Sequence, residues 1–155
     1  RSQGVSLLQR LDEMYKKYGY FEDRAISKYF PGVKGPAIMG GIMTKRRTEG
    51  LKILGGKKVL KIRDIGEQVE FDPANKDKKK KLKFPKSNVL QFCLEGGTIV
   101  SARPSGTEPK IKFYINSTMP VKCGKSEELV KAKEEAAKLC DAISKEITKL
   151  LDSAK

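Results

Sequence analysis

The chain is 155 residues long, 38% hydrophobic and 34% charged, enough for one domain with a real core or one domain plus a piece of another, and too short for a large enzyme. Lys and Arg number 33 against 19 Asp and Glu, a formal net charge of +14 that attracts polyanions or anionic substrates. The absence of histidine excludes Ser-His-Asp and Cys-His nucleophile systems and the common zinc-peptidase motif. No apolar run approaches the ~20 residues that span a bilayer, so no membrane partner is expected. Cys93, Cys123 and Cys140 are far apart with no C-x-x-C pair, which fits reduced thiols in a cytoplasmic protein rather than a disulfide framework or zinc site. No signal peptide is evident and the first residue is Arg1, so an excised or processed chain is expected.

In chain order, Val5, Leu8, Leu11, Asp12 and Tyr15 fall at helical spacing, and Gly19 should end that helix. Its apolar stripe needs a partner, so residues 1–19 are expected to be the end of a preceding domain. Residues 20–35 are expected to be a hinge or linker, with a short strand near Ala25 to Tyr29. Residues 36–155 form the remaining domain. Pro36 suits a first helical turn and Gly50 closes the pattern, while Gly40-Gly41 inside it weakens the helix by ~1 kcal/mol each. The adjoining Lys45-Arg46-Arg47 cluster reads as an exposed helix end or a face toward an anion.

Gly55-Gly56 makes a turn, and Lys57 to Ile65 should be a half-buried strand with Leu60 and Ile62 on one face and Lys61 and Arg63 on the other. Gly66 to Lys86, which holds the lysine run Lys76 to Lys83, is expected to be a solvated loop. Leu90, Phe92 and Leu94 alternate, Gly96-Gly97 turns, Thr98 to Arg103 returns, and Ile111, Phe113 and Ile115 alternate again. Ser126 can cap a final helix, with Leu129, Ala136, Ile143 and Leu150 recurring every seven residues. The fold class expected is α+β, a four-stranded and mainly antiparallel sheet with helices packed on one face.

The chemistry concentrates between the last two strands, at Arg103-Pro104-Ser105-Gly106-Thr107-Glu108-Pro109-Lys110. A residue before proline is pushed toward extended geometry, and Gly106 can adopt backbone conformations closed to other residues. A guanidinium fork joined by hydroxyl and amide donors suits a phosphate monoester. The same residues could also make an ordinary surface turn.

The run Arg103 to Lys110, followed by Ile-Lys-Phe-Tyr-Ile, resembles the C-terminal signature of the α-D-phosphohexomutases, the phosphoglucomutase and phosphomannomutase enzymes. Leu11 to Tyr20 resembles the helix that leads out of their third domain. The resemblance implies a last domain with a fold similar to the TATA-box binding protein, hinged over residues 19–35. It implies that Arg103, Ser105, Gly106 and Thr107 bind the phosphate of a phosphosugar substrate, with Lys110 or Lys112 adding positive charge nearby. The other domains of the same polypeptide would be its partners. The family's Thr-x-Ser-His-Asn-Pro, Asp-Gly-Asp-x-Asp-Arg and Gly-Glu-x-Ser-Gly loops are absent from this sequence. No catalytic residue and no metal ligand is therefore expected here, and Mg2+ would be bound by a domain not in this chain. The competing reading is a basic nucleic-acid-binding module, weakened by sparse sheet aromatics and the lack of an RNA-recognition signature.

Overall fold

A computed structural model describes residues 4–121 and 126–154. Helix α1 (Leu7–Tyr18) begins with a capping box, Ser6 Oγ accepting from the Gln9 amide while the Gln9 side chain accepts from the Ser6 amide. It ends at Gly19, whose φ of 96° suits glycine and whose missing Cβ would lie 2.9 Å from the Met119 carbonyl oxygen. None of its residues is buried, and Leu7, Leu8 and Met14 are exposed.

The stretch after Gly19 is more regular than expected. Strand β1 (Tyr20–Tyr29) runs ten residues rather than a short piece near Ala25, and every one of them has a partner on the final strand, from Tyr20 opposite Met119 to Tyr29 opposite Lys110. Helix α2 (Gly35–Glu49) has Pro36 in its first turn and stops at Gly50, as its sequence predicts. An added Cβ at Gly40 or Gly41 would meet nothing within 4 Å, so close packing is not what puts glycine there.

The remaining strands are β2 (Ile53–Leu54), β3 (Lys57–Asp64), β4 (Val69–Asp72), β5 (Asn75–Lys81), β6 (Leu90–Leu94), β7 (Ile99–Pro104) and β8 (Lys110–Met119). They pair antiparallel in the order β1-β8-β7-β6-β3-β4-β5, with β2 added on β3. The class is α+β as expected, but the sheet has eight strands instead of four. Half of the excess comes from 66–86, expected to be loop, which supplies β4 and β5. The face assignment of β3 also changes. The ladder with β6 shifts register between Val59 and Lys61, and this bulge turns Val59 and Ile62 inward together while Leu60 stays exposed.

One sheet face buries Leu90, Phe92, Leu94, Val100, Ala102, Ile111, Phe113 and Ile115 against α2 and α3 (Ser126–Asp152). Along α3 the buried positions are Leu129, Ala132, Ala136, Leu139, Cys140, Ile143, Ile147 and Leu151. The late four-residue steps and the choice of Leu151 over Leu150 follow the 3.6 period of a straight helix lying on a sheet, not a coiled-coil heptad. Cys140 is buried in this layer, Cys93 is half-buried, and both are free thiols. Burial raises the pKa of each. Cys123 lies outside the described residues. No described helix is long and apolar enough to cross a membrane.

Candidate phosphate-binding hairpin

The β7–β8 hairpin holds the residues singled out above. Alternation turns Ala102, Ile111 and Phe113 into the core and leaves Arg103, Lys112 and Tyr114 on the opposite sheet face. Arg103 sits directly across the ladder from Lys112. The loop between the strands is closed by the Ser105 amide donating to the Lys110 carbonyl at 2.9 Å and the Lys110 amide donating to the Glu108 carbonyl at 2.7 Å. Its base is fixed from behind, where the Phe30 amide donates to the Pro109 carbonyl at 2.7 Å. Phe30 is buried. A Cβ at Gly35 would approach the Phe30 carbonyl oxygen to 2.1 Å and Pro109 Cβ to 3.1 Å, so the start of α2 can meet this brace only as glycine.

The five expected ligands divide by what they already do. The Arg103 side chain is exposed and makes no ion pair or hydrogen bond among the described residues. Ser105 Oγ accepts from the amides of Thr107 and Glu108 at 3.4 and 3.3 Å, a hydroxyl turn that shapes the loop while its own proton stays free to donate. Gly106 does not have positive φ and an added Cβ would meet nothing within 4 Å. Contrary to the sequence expectation, no special backbone conformation calls for glycine here. The gap it leaves lets another molecule come close to the backbone, and its amide has no acceptor among the described residues. The Thr107 side chain is exposed. Lys110 is the exception, since its ammonium is paired with the Glu108 carboxylate.

Two clefts flank the loop. One, of about 430 Å³, is bordered by Arg103, Thr107, Lys110, Lys112 and Tyr114. The other, of about 370 Å³, lies between Arg103 to Gly106 and a wall formed by Pro36, Met39, Gly40, Ser87 and Asn88. Arg103 therefore borders both. The second wall went unread in the sequence because its residues are distant in the chain and carry no local motif. It is held by Arg47, whose Nε donates to Asp64 at 2.9 Å and whose Nη2 donates to Asn88 Oδ1 at 2.6 Å. Arg47, read as an exposed helix end, is thus a strut between α2, β3 and the segment before β6. Among the described residues no three His, Cys, Asp or Glu side chains converge as a metal site.

An antiparallel sheet whose hairpin gathers an unpaired guanidinium, a free amide and hydroxyl donors is an α+β domain with anion-complementary chemistry on one loop. Its relatives are more specific. No protein-family model matches the chain. The chain is 36% identical over 115 residues to a phosphoglucomutase of Staphylococcus saprophyticus, covering 73% of this chain and 20% of that protein. It is 34% identical over 116 residues to a phosphoglucomutase of Staphylococcus epidermidis, covering 75% and 21%. The chain is homologous to a stretch of these phosphoglucomutases and spans about a fifth of the length of the curated relatives it matches. The solved structure of parafusin, a phosphoglucomutase from Paramecium in its open form, aligns over 89% of this chain and 23% of its own at 15% identity, with a TM-score of 0.46.

Proposed function

We propose that the chain is the C-terminal domain of a phosphohexomutase that interconverts hexose 1-phosphate and hexose 6-phosphate, and that its hairpin grips the phosphate not being transferred. Arg103, Ser105, Gly106 and Thr107 are the ligands in this reading. Lys110 joins them on release from Glu108, and Lys112 adds charge from across the ladder. The observation that carries it is the unpaired Arg103 guanidinium at the mouths of two clefts, on a loop braced from behind at Pro109. A guanidinium takes two phosphate oxygens at once, and the Gly106 amide and nearby hydroxyls can meet the third.

Gripping a remote phosphate supplies binding energy that closes the site and orients the sugar, so it favours catalysis without touching the reacting atoms. One receptor also suffices for both isomers, because it holds whichever of the C1 and C6 phosphates is idle. The nucleophile and the magnesium ligands belong to other domains of the polypeptide, and the residues described here offer no donor set for the metal. The free thiols Cys93 and Cys140 fit a cytoplasmic setting.

Nucleic acid is the second reading, favoured by the lysine-rich strand β5. Amide NMR of the 155-residue chain separates the two. Glucose 6-phosphate should shift the Gly106 and Thr107 resonances where glucose does not, and Arg103→Ala should abolish the effect. Tight oligonucleotide binding that falls steeply with salt and ignores Arg103→Ala would instead establish the second reading.

A further inference from the structure

Strand β5 has the sequence Asn-Lys-Asp-Lys-Lys-Lys-Lys and lies at the outer edge of the sheet, paired to β4 on one side only. Lys76 has a structural task, its Nζ donating to the Thr48 and Glu49 carbonyls at 2.5 and 3.0 Å and so closing the C-terminal end of α2. Lys78 to Lys81 have none. All four are exposed, and among the described residues none pairs with a carboxylate. Lys80 does face an acid, Glu70, across the ladder. That carboxylate is already taken, accepting from Arg63 Nε at 2.7 Å and Lys61 Nζ at 3.4 Å.

The ladder also fixes which backbone groups are free. The Leu82 amide donates to the Gln68 carbonyl at 2.8 Å, and Lys80 is opposite Glu70. Antiparallel alternation then points the N–H and C=O of Lys80 toward β4 and those of Lys79 and Lys81 away from it, along an open edge. Period two sends the Lys80 side chain to one face of the sheet and those of Lys79 and Lys81 to the other.

We propose that this edge is a docking site for an acidic, extended segment of another protein, which adds to β5 as a further strand. Its Asp or Glu side chains would stand opposite the lysines on both faces, and its backbone would meet the free groups of Lys79 and Lys81. A second copy of β5 would set lysine against lysine and is repelled, so the charge that prevents self-pairing also selects an acidic partner. A flat anionic membrane would meet one face only. Single-stranded nucleic acid is bound by stacking on aromatic side chains along a basic groove, and β5 has no aromatic residue.

The test uses the 155-residue chain and a fluorescein-labelled peptide of alternating Glu and Thr. Binding should be saturable and salt-sensitive, and should protect the Lys79 and Lys81 amides from hydrogen exchange. The same peptide N-methylated at alternate residues keeps its charge but cannot pair through its backbone, and should bind at least about tenfold more weakly. Lys79→Pro removes only an outward N–H, so it should weaken the unmodified peptide by a similar factor at an unchanged melting temperature. Arg103→Ala should leave peptide binding intact, which separates this edge from the phosphate hairpin. Equal affinity for the two peptides overturns the proposal, as does displacement of the peptide by substoichiometric polyuridylate or phosphatidylserine vesicles. The N-methylated peptide decides the matter even if Lys79→Pro does not fold.

Discussion

Two hairpins of the same sheet present cations to solvent in opposite ways. The β7–β8 hairpin is flanked by β6 and β1, is braced at Pro109 by Phe30, and gathers Arg103, Lys110 and Lys112 around one loop. The β4–β5 hairpin ends the sheet and spreads Lys78 to Lys81 along a line with nothing beyond it. Position, more than amount of charge, decides whether cations converge on one point or spread along a line. Several donors converge on a point only where the backbone behind them is held.

The contrast can be broken most severely from beneath the braced hairpin. Phe113 is 1% exposed under β8, and Phe113→Ala should destabilise the domain by about 3–5 kcal/mol in urea unfolding, a large share of the stability of a chain this size. Next comes Arg103→Ala. In a full-length phosphohexomutase carrying this domain, loss of a bidentate, charge-assisted grip should lower kcat/KM by about 100-fold. The unfolding midpoint of the isolated chain should not move, and near-native kinetics would remove the phosphate assignment.

Glu70 sharpens the comparison at the outer hairpin. The hydrogen bond from Arg63 holds its carboxylate below the usual glutamate range, against the opposing effect of burial and with help from Lys61. Because the folded pKa is the lower one, this stabilisation is complete above the unfolded value of about 4.3 and is lost as pH falls through the folded value. Glu70→Gln should therefore cost about 1–2 kcal/mol at neutral pH, and its urea midpoint should decline less than that of the native chain as pH is lowered toward 3. The smallest effect belongs to the free row: replacing any one of Lys78 to Lys81 by Gln should change stability by less than about 0.5 kcal/mol, since no described carboxylate is lost.

The elements that sequence could reach were those whose apolar residues keep one period and whose ends carry their own punctuation. Gly19 and Gly50 stop α1 and α2, and Leu90, Phe92 and Leu94 alternate cleanly. Strand β1 escaped because its inward face is not apolar. Glu22, Arg24 and Lys28 lie there, the last two reaching Asp141 and Asp152 on α3, while Phe21 and Tyr29 face outward, so no apolar alternation marks the strand. Strand β5 escaped because four consecutive lysines have no periodicity, and only pairing with β4 makes them a strand. The bulge after Val59 is a register event between two strands and leaves no mark on either sequence. For the site, the motif led to the loop, but not to Lys110 being held by Glu108 or to the wall that Arg47 supports, which depend on contacts across the chain.

The full pairing of β1 with β8 has a mechanical consequence. Ten residues at ~3.3 Å each make a stiff bar about 33 Å long, with Gly19 at one end and the Arg103 loop near the other. A turn of only about 10° at Gly19 would sweep the far end through about 6 Å, more than the reach of a hydrogen bond. Gly19 lies against the Met119 carbonyl where no side chain fits, so a substitution there would disturb the end of the bar where it meets α1.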